Sequence, residues 1–287
     1  MRGQRRPGAL DALSVAVRAG SRLVAALAAV GLAAAAGCDA GKTKLIGHDD
    51  PAARCLLAPK APPAGTPAFY QKYLDAYGIP VMSSAAVSDT ALASACQIAV
   101  NLVRFRVEVR EEMIRERQRV AVLGVDEVTT NVPEYANLYS MFPGDWDALR
   151  GVGATIAIPV SSAGEENLLC LANDPYAGEQ VLVQTFATAV LLALERVDGS
   201  TFGSRVTAAY DAAMRAGLWQ NTYAMENRIE YYAVGVQTWF HATREASPAD
   251  GIHNEINTRA ELMEYDPMLA ALVKESMPDD DWLPMCP

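Results

Sequence analysis

From Gly178 to Glu195 the chain is apolar almost all round. Good helix formers outnumber β-branched residues, and neither Gly nor Pro interrupts the run after Gly178, so the stretch predicts one helix. Its polar residues are few. Gln180, Gln184 and Thr188 recur every four positions, with Thr185 beside them, and stand one above another on one face. A helix that is apolar apart from one narrow stripe is predicted to run through the core.

The same reading applied along the chain predicts an α+β domain, a small sheet followed mostly by helices. Order is expected to start near Phe69-Tyr70, with a short helix through Tyr77 stopped by Gly78. Ala91 to Val103 has helical spacing. Glu108 to Arg119 is densely charged and reads as a solvated helix. Val120–Leu123, Thr155–Val160 and Leu168–Leu171 are strand candidates, and 131–147 is irregular. Ser204 is placed to cap a helix that Gly217 stops, and Asn227 one that reaches about Arg244. Thr258 with Glu261 makes a capping box, and Asp266-Pro267 a cap followed by Pro at the first helical position. There are no repeats and no sign of a second domain.

The first residues belong to a different pattern. Five Arg precede an apolar run from Leu23 to Ala36, too short and Ala-rich for a good membrane span. The run ends Ala35-Ala36-Gly37-Cys38, which resembles a bacterial lipobox. That resemblance implies a signal peptide over 1–37, lipid on Cys38, a flexible tether over 38–67 and a folded domain over 68–287. The expected location is the cell envelope, lipid-anchored on the periplasmic or surface side. An ordinary secretory signal cut nearby is the other reading. With 51% hydrophobic residues the remainder has ample material for a core. Removing 1–37 takes away five of 24 basic and one of 34 acidic residues, leaving 19 and 33 and a formal charge of −14. Such a charge disfavours nucleic acid and anionic lipid surfaces as partners, so any membrane contact is expected through the lipid alone. Cys55, Cys96, Cys170 and Cys286 then form an even set, which favours two disulfides in an exported protein. Sequence leaves three pairings open; one bridge joining Cys55 to Cys286 would close the ends of the fold.

Two segments carry a family likeness. One runs from Gly164-Glu-Glu-Asn through Asp174-Pro-Tyr-Ala-Gly178 into the apolar helix; the other is Asn221 to Phe240. Together with Asp250–Pro267 they resemble secreted zincin-like proteins related to the catalytic domain of anthrax toxin lethal factor. The resemblance spans roughly 69–283. It implies a zincin-like metallopeptidase domain whose helix carries H-E-x-x-H, followed by a Tyr and, seven residues later, a Glu as third zinc ligand. On this chain Tyr223 matches the Tyr and Glu230 the third ligand. Gln184 and Thr188 stand where the His ligands belong, Thr185 where the general base belongs, and Val234 where a second acidic residue belongs. Amide and hydroxyl oxygens are weak, uncharged zinc ligands, and Thr is no base near neutrality. The resemblance therefore implies a pseudopeptidase without catalytic residues, with no metal or cofactor expected, its old cleft open to a peptide or an envelope protein.

Other readings of the same residues stand beside this one. Gln184, Thr185 and Thr188 fill a buried helix, Glu230 closes a capping box with Asn227, and Tyr223 is a core residue. A rearranged metallohydrolase would use zinc, Glu230 and a distant His. Only His48, His241 and His253 exist, each with the surroundings of a surface residue. A structural envelope lipoprotein without a ligand is the remaining alternative. Ser161-Ser162-Ala163-Gly164 lacks the nucleophile-elbow spacing, no phosphate-binding Gly motif occurs, and Asp279-Asp280-Asp281 reads as a solvated acidic run.

Overall fold

The computed structural model describes residues 51–141 and 144–284. The signal segment, Cys38, His48 and Cys286 lie outside the described residues. Four strands form one mixed sheet in the order β1 (Lys72–Ala76), β2 (Ile79–Ser83), β3 (Arg119–Leu123) and β4 (Val160–Gly164). The first pair is antiparallel across the Tyr77-Gly78 turn; β2–β3 and β3–β4 are parallel. The helices are α1 (Pro51–Cys55), α2 (Asp89–Val103), α3 (Val107–Arg115), α4 (Leu138–Met141), α5 (Glu165–Leu168), α6 (Val181–Val197), α7 (Thr201–Ala216), α8 (Arg228–Trp239), α9 (Arg259–Tyr265) and α10 (Pro267–Ser276). This is the expected α+β plan. Among the described residues no helix is long and apolar enough to cross a membrane.

Helix α6 is the centre of the core. From Val181 to Leu191 every residue is buried, the polar ones included. It lies against β4 on one side, while α8 is the helix most extensively packed against it. Three caps are those that the sequence signals, but Ser204 is not a cap: α7 begins at Thr201 behind Ser200, and Ser204 lies in its first turn with its hydroxyl donating to the Ser200 carbonyl (3.0 Å). Asn227 accepts from the backbone N–H of Ile229 and Glu230, Thr258 and Glu261 complete their capping box, and Asp266 accepts from Leu269. Gly217 ends α7 in the left-handed region at φ +76°.

Several local expectations are corrected. The helix expected over 69–77 is strand β1, because its Leu74 and Ala76 alternate inward beside β2 and under α2. The strands expected at 155–160 and 168–171 are a turn and the end of α5; the true edge strand, β4, lies between them. Its five residues are all buried, so Ser161, Ser162 and Gly164 give it no alternating signature. Helix α8 stops at Trp239, short of Arg244. Among the described residues, the fold already includes residues ahead of Phe69. Cys55 is wholly buried and joined to Cys96 of α2, and Lys60 pairs with Tyr73. Cys55 therefore does not bridge to Cys286, and Cys170 is also disulfide-bonded. The acidic run is not merely solvated: Asp279 pairs with Arg259 and Lys274, and Asp280 with Arg104.

Candidate functional site

The segment Gly164-Glu-Glu-Asn sets where α6 begins. Glu165 accepts from the backbone N–H of Ser88 at the head of α2 (2.8 Å). Glu166, almost fully buried, pairs with Arg150, whose guanidinium also donates to the carbonyls of Gly124 and Glu127. A Cβ on Gly164 would lie 2.3 Å from the Glu166 carboxyl, so only Gly lets that side chain fold back. Asn167 faces α6 itself. Its Oδ1 accepts from Val181 N (2.9 Å), and its Nδ2 donates to the carbonyl of Glu179 (2.8 Å) and to Asp174 (2.9 Å). The orphan N–H groups that every helix start leaves are partly met here by a side chain from another element.

With α6 and α8 fixed against each other, residues 46 positions apart in sequence meet. The Gln184 amide donates to Glu230 Oε2 at 3.4 Å. Glu230 is wholly buried, and burial pushes its carboxyl well above the usual carboxylate range. Hydrogen bonds from Tyr223 and Gln184 favour the charged form, but they are outweighed. Oε1 of Glu230 completes no hydrogen bond. Glu230 does not close a capping box with Asn227: its side chain turns inward instead. The two Thr are turned elsewhere. Thr185 Oγ1 donates to the Ser162 carbonyl of β4 (3.1 Å), and Thr188 Oγ1 donates to the Thr185 carbonyl (2.7 Å).

These residues do not suit zinc. Where two lone pairs would have to converge, an amide N–H2 group faces a wholly buried carboxyl. The Thr188 hydroxyl already serves the backbone of its own helix. Among the described residues no three of His, Cys, Asp and Glu are placed to share a metal ion.

Beside Gln184 lies a small cavity of about 10 Å³, room for about one water. Gln184, Tyr223 and Val234 line it, together with Trp219, Gln237 and His253. His253 is not the surface residue its polar loop suggests; it is 6% exposed. Its Nε2 lies 3.1 Å from Glu179 Oε2, and its Nδ1 lies 3.3 Å from Arg244 and 3.4 Å from Asp250 Oδ2. Burial raises the Asp250 pKa, but N–H donation from His253 and Ile252 and the nearby imidazole bring it down to about 2. Gln237 donates to Glu179 and to the Gln180 carbonyl, both at 3.4 Å. Trp219 is fixed by donation from its indole to Asp266 (3.0 Å), the same carboxyl that accepts from Tyr231 and caps α10. His241 is half-buried and lies outside the cavity lining.

The fold is similar to one solved peptidase. That structure is the Pro-Pro endopeptidase PPEP-2 from Paenibacillus alvei, with a TM-score of 0.41 and 13% identity, over 64% of this chain and 90% of that one. The chain matches no family model and no curated protein sequence.

Sequence reasoning placed Gln184, Tyr223 and Glu230 together and missed Glu179, Gln237 and Trp219 as their neighbours. Gln237 lay within reach of such reasoning, since it follows Glu230 by seven residues, two turns along one face of α8. Glu179 and His253 are 74 positions apart, and no periodicity joins them.

Proposed function

We propose that the chain is an exported, lipid-anchored pseudopeptidase of zincin-like fold. Cys38 carries the lipid, and the protein works as a binding module in the cell envelope. The observation that supports this reading most is the meeting of Gln184, Tyr223 and Glu230 around one buried carboxyl. A catalytic zinc would require three such positions as ligands. Here Gln184 is an amide that donates, Thr188 a hydroxyl spent on the backbone, and Glu230 a single carboxyl in surroundings that disfavour its charge. Thr185 has no proton-accepting capacity near neutrality and is bonded to the sheet. What remains is a polar-walled pocket at the junction of α6 and α8, suited to hold a group of a peptide or a partner protein without cleaving it.

The test is the zinc content of the folded chain, purified with its disulfides intact and without chelator. Elemental analysis is expected to give far less than one zinc per chain. Stoichiometric zinc would overturn the reading. It would favour the second one, a rearranged metallohydrolase, for which the placement of His253 beside this cavity is the supporting observation.

A further inference from the structure

The cavity beside Gln184 has a chemical bias. Its lining contains no Lys and no Arg. Its lining includes Glu179, 6% exposed, with Gln184, Gln237 and Asn254 and the aromatic residues Trp219 and Tyr223. Acceptor oxygens and aromatic rings around a buried carboxylate are the surroundings that an organic cation selects. Glu179 receives side-chain donation from two groups, His253 at 3.1 Å and Gln237 at a long 3.4 Å. Behind Gln184, the wholly buried Glu230 keeps Oε1 without a hydrogen-bond partner.

His253 is the chain's own N–H donor in this place. In the tautomer in which Arg244 donates to His253 Nδ1, the imidazole proton sits on Nε2, toward Glu179. A doubly protonated ring would instead donate from Nδ1 to Asp250 Oδ2. His253 ends a surface strap, residues 244–252, whose members are exposed or half-buried. The strap is tied down by Asn221, which donates to the Ala249 carbonyl and accepts from Gly251 N, and by Tyr223 N on the Ile252 carbonyl. As it stands the cavity has room for about one water.

We propose that this is a recognition site for a primary ammonium group of a peptide, with Glu179 as its counter-ion and His253 as the internal group it displaces. The proposal rests on the binding reading above and names the chemistry of what is bound. Two sources supply that chemistry, a lysine side chain and a free N-terminus.

The experiment is calorimetric titration of the full chain with three pentapeptide amides. These are acetyl-Ala-Ala-Lys-Ala-Ala, its acetylated norleucine counterpart, and the norleucine peptide with a free N-terminus. At least one ammonium-bearing peptide is expected to bind about tenfold or more tighter than the acetylated norleucine peptide. Which one does so identifies the source. Glu179→Gln is expected to erase the difference. His253→Ala is expected to tighten the preferred peptide by about threefold or more, because the competing group is gone. Arg244→Ala, on the exposed strap, should act in the same direction and decides the matter if His253→Ala does not fold. Equal binding of all three peptides would overturn the ammonium assignment while leaving a groove that binds peptide. Absence of binding in the wild type and in both strap variants would overturn both. Neither result bears on whether the zinc positions can be rebuilt, which is measured separately.

Discussion

Glu230 is a carboxyl in a place that does not favour its charge. Native burial raises its pKa above the unfolded value, so the folded state holds the proton more tightly than the unfolded chain does. The linked stability is complete below the unfolded pKa, near 4.5, and declines as pH rises toward the folded value. Glu230→Gln keeps the shape of the protonated form and has no proton to lose. The variant is expected to match the wild type near pH 4.5 and to gain on it above that, by up to ~1.4 kcal/mol for each pH unit within the window. Thermal unfolding of both proteins from pH 4 to 8 checks this. Parallel pH profiles would show that Glu230 is ionised in the folded protein. The residue scale is also where the sequence was most legible. The helical repeat puts Gln184 and Thr188 on one face, and the Tyr223–Glu230 spacing is readable beside it. That Thr185 and Thr188 turn their hydroxyls to backbone carbonyls was not legible, because it depends on how close β4 lies.

At the scale of elements, the start of α6 decides whether the pocket exists. Asn167 makes three hydrogen bonds there, two of them to the backbone just before and at the first turn. Asn167→Ala leaves Val181 N and the Glu179 carbonyl without these partners in a buried setting. A loss of about 2–3 kcal/mol is expected in denaturant unfolding, with Glu179 shifted against His253. An unchanged midpoint would mean that α6 is positioned by its apolar packing alone. Elements were legible in proportion to how far they carry their own signals. Helix α2 declares itself by its period, α9 and α10 by their caps, and α7 by the Gly217 that stops it, while its start lies ahead of the Ser204 that the sequence offers as a cap. Strand β4, buried throughout and built of Val, Ser, Ala and Gly, declares nothing, and β1 differs from the expected helix because Tyr77-Gly78 makes a two-residue turn that pairs it with β2.

Over the whole molecule, the segment around Cys55 and Lys60, ahead of β1, proves to be part of the fold. The bridge between Cys55 and Cys96 spans 41 residues and ties α1 to the back of the sheet's covering helix. Closing a loop of that size restricts the unfolded chain enough to give about 3–4 kcal/mol. Cys55→Ala with Cys96→Ala should lower stability by that amount, measured by denaturant unfolding. A negligible loss would show that the segment is held by its other contacts. Pairing of this kind lies beyond sequence reasoning, since four cysteines leave three arrangements and only the packed fold selects one.

Under the proposed reading, the junction of α6 and α8 keeps the frame of a zinc site while its ligands have been replaced. The most direct measurement rebuilds them: Gln184→His, Thr185→Glu and Thr188→His together, with Glu230 retained as the third ligand. If the frame is present, the variant binds zinc at about one ion per chain, in the four-coordinate geometry that three protein ligands and a water give. The wild type, prepared beside it, does not. A folded variant that takes up no zinc would contradict the account, because it would mean that these four positions do not converge as a zincin-like site requires.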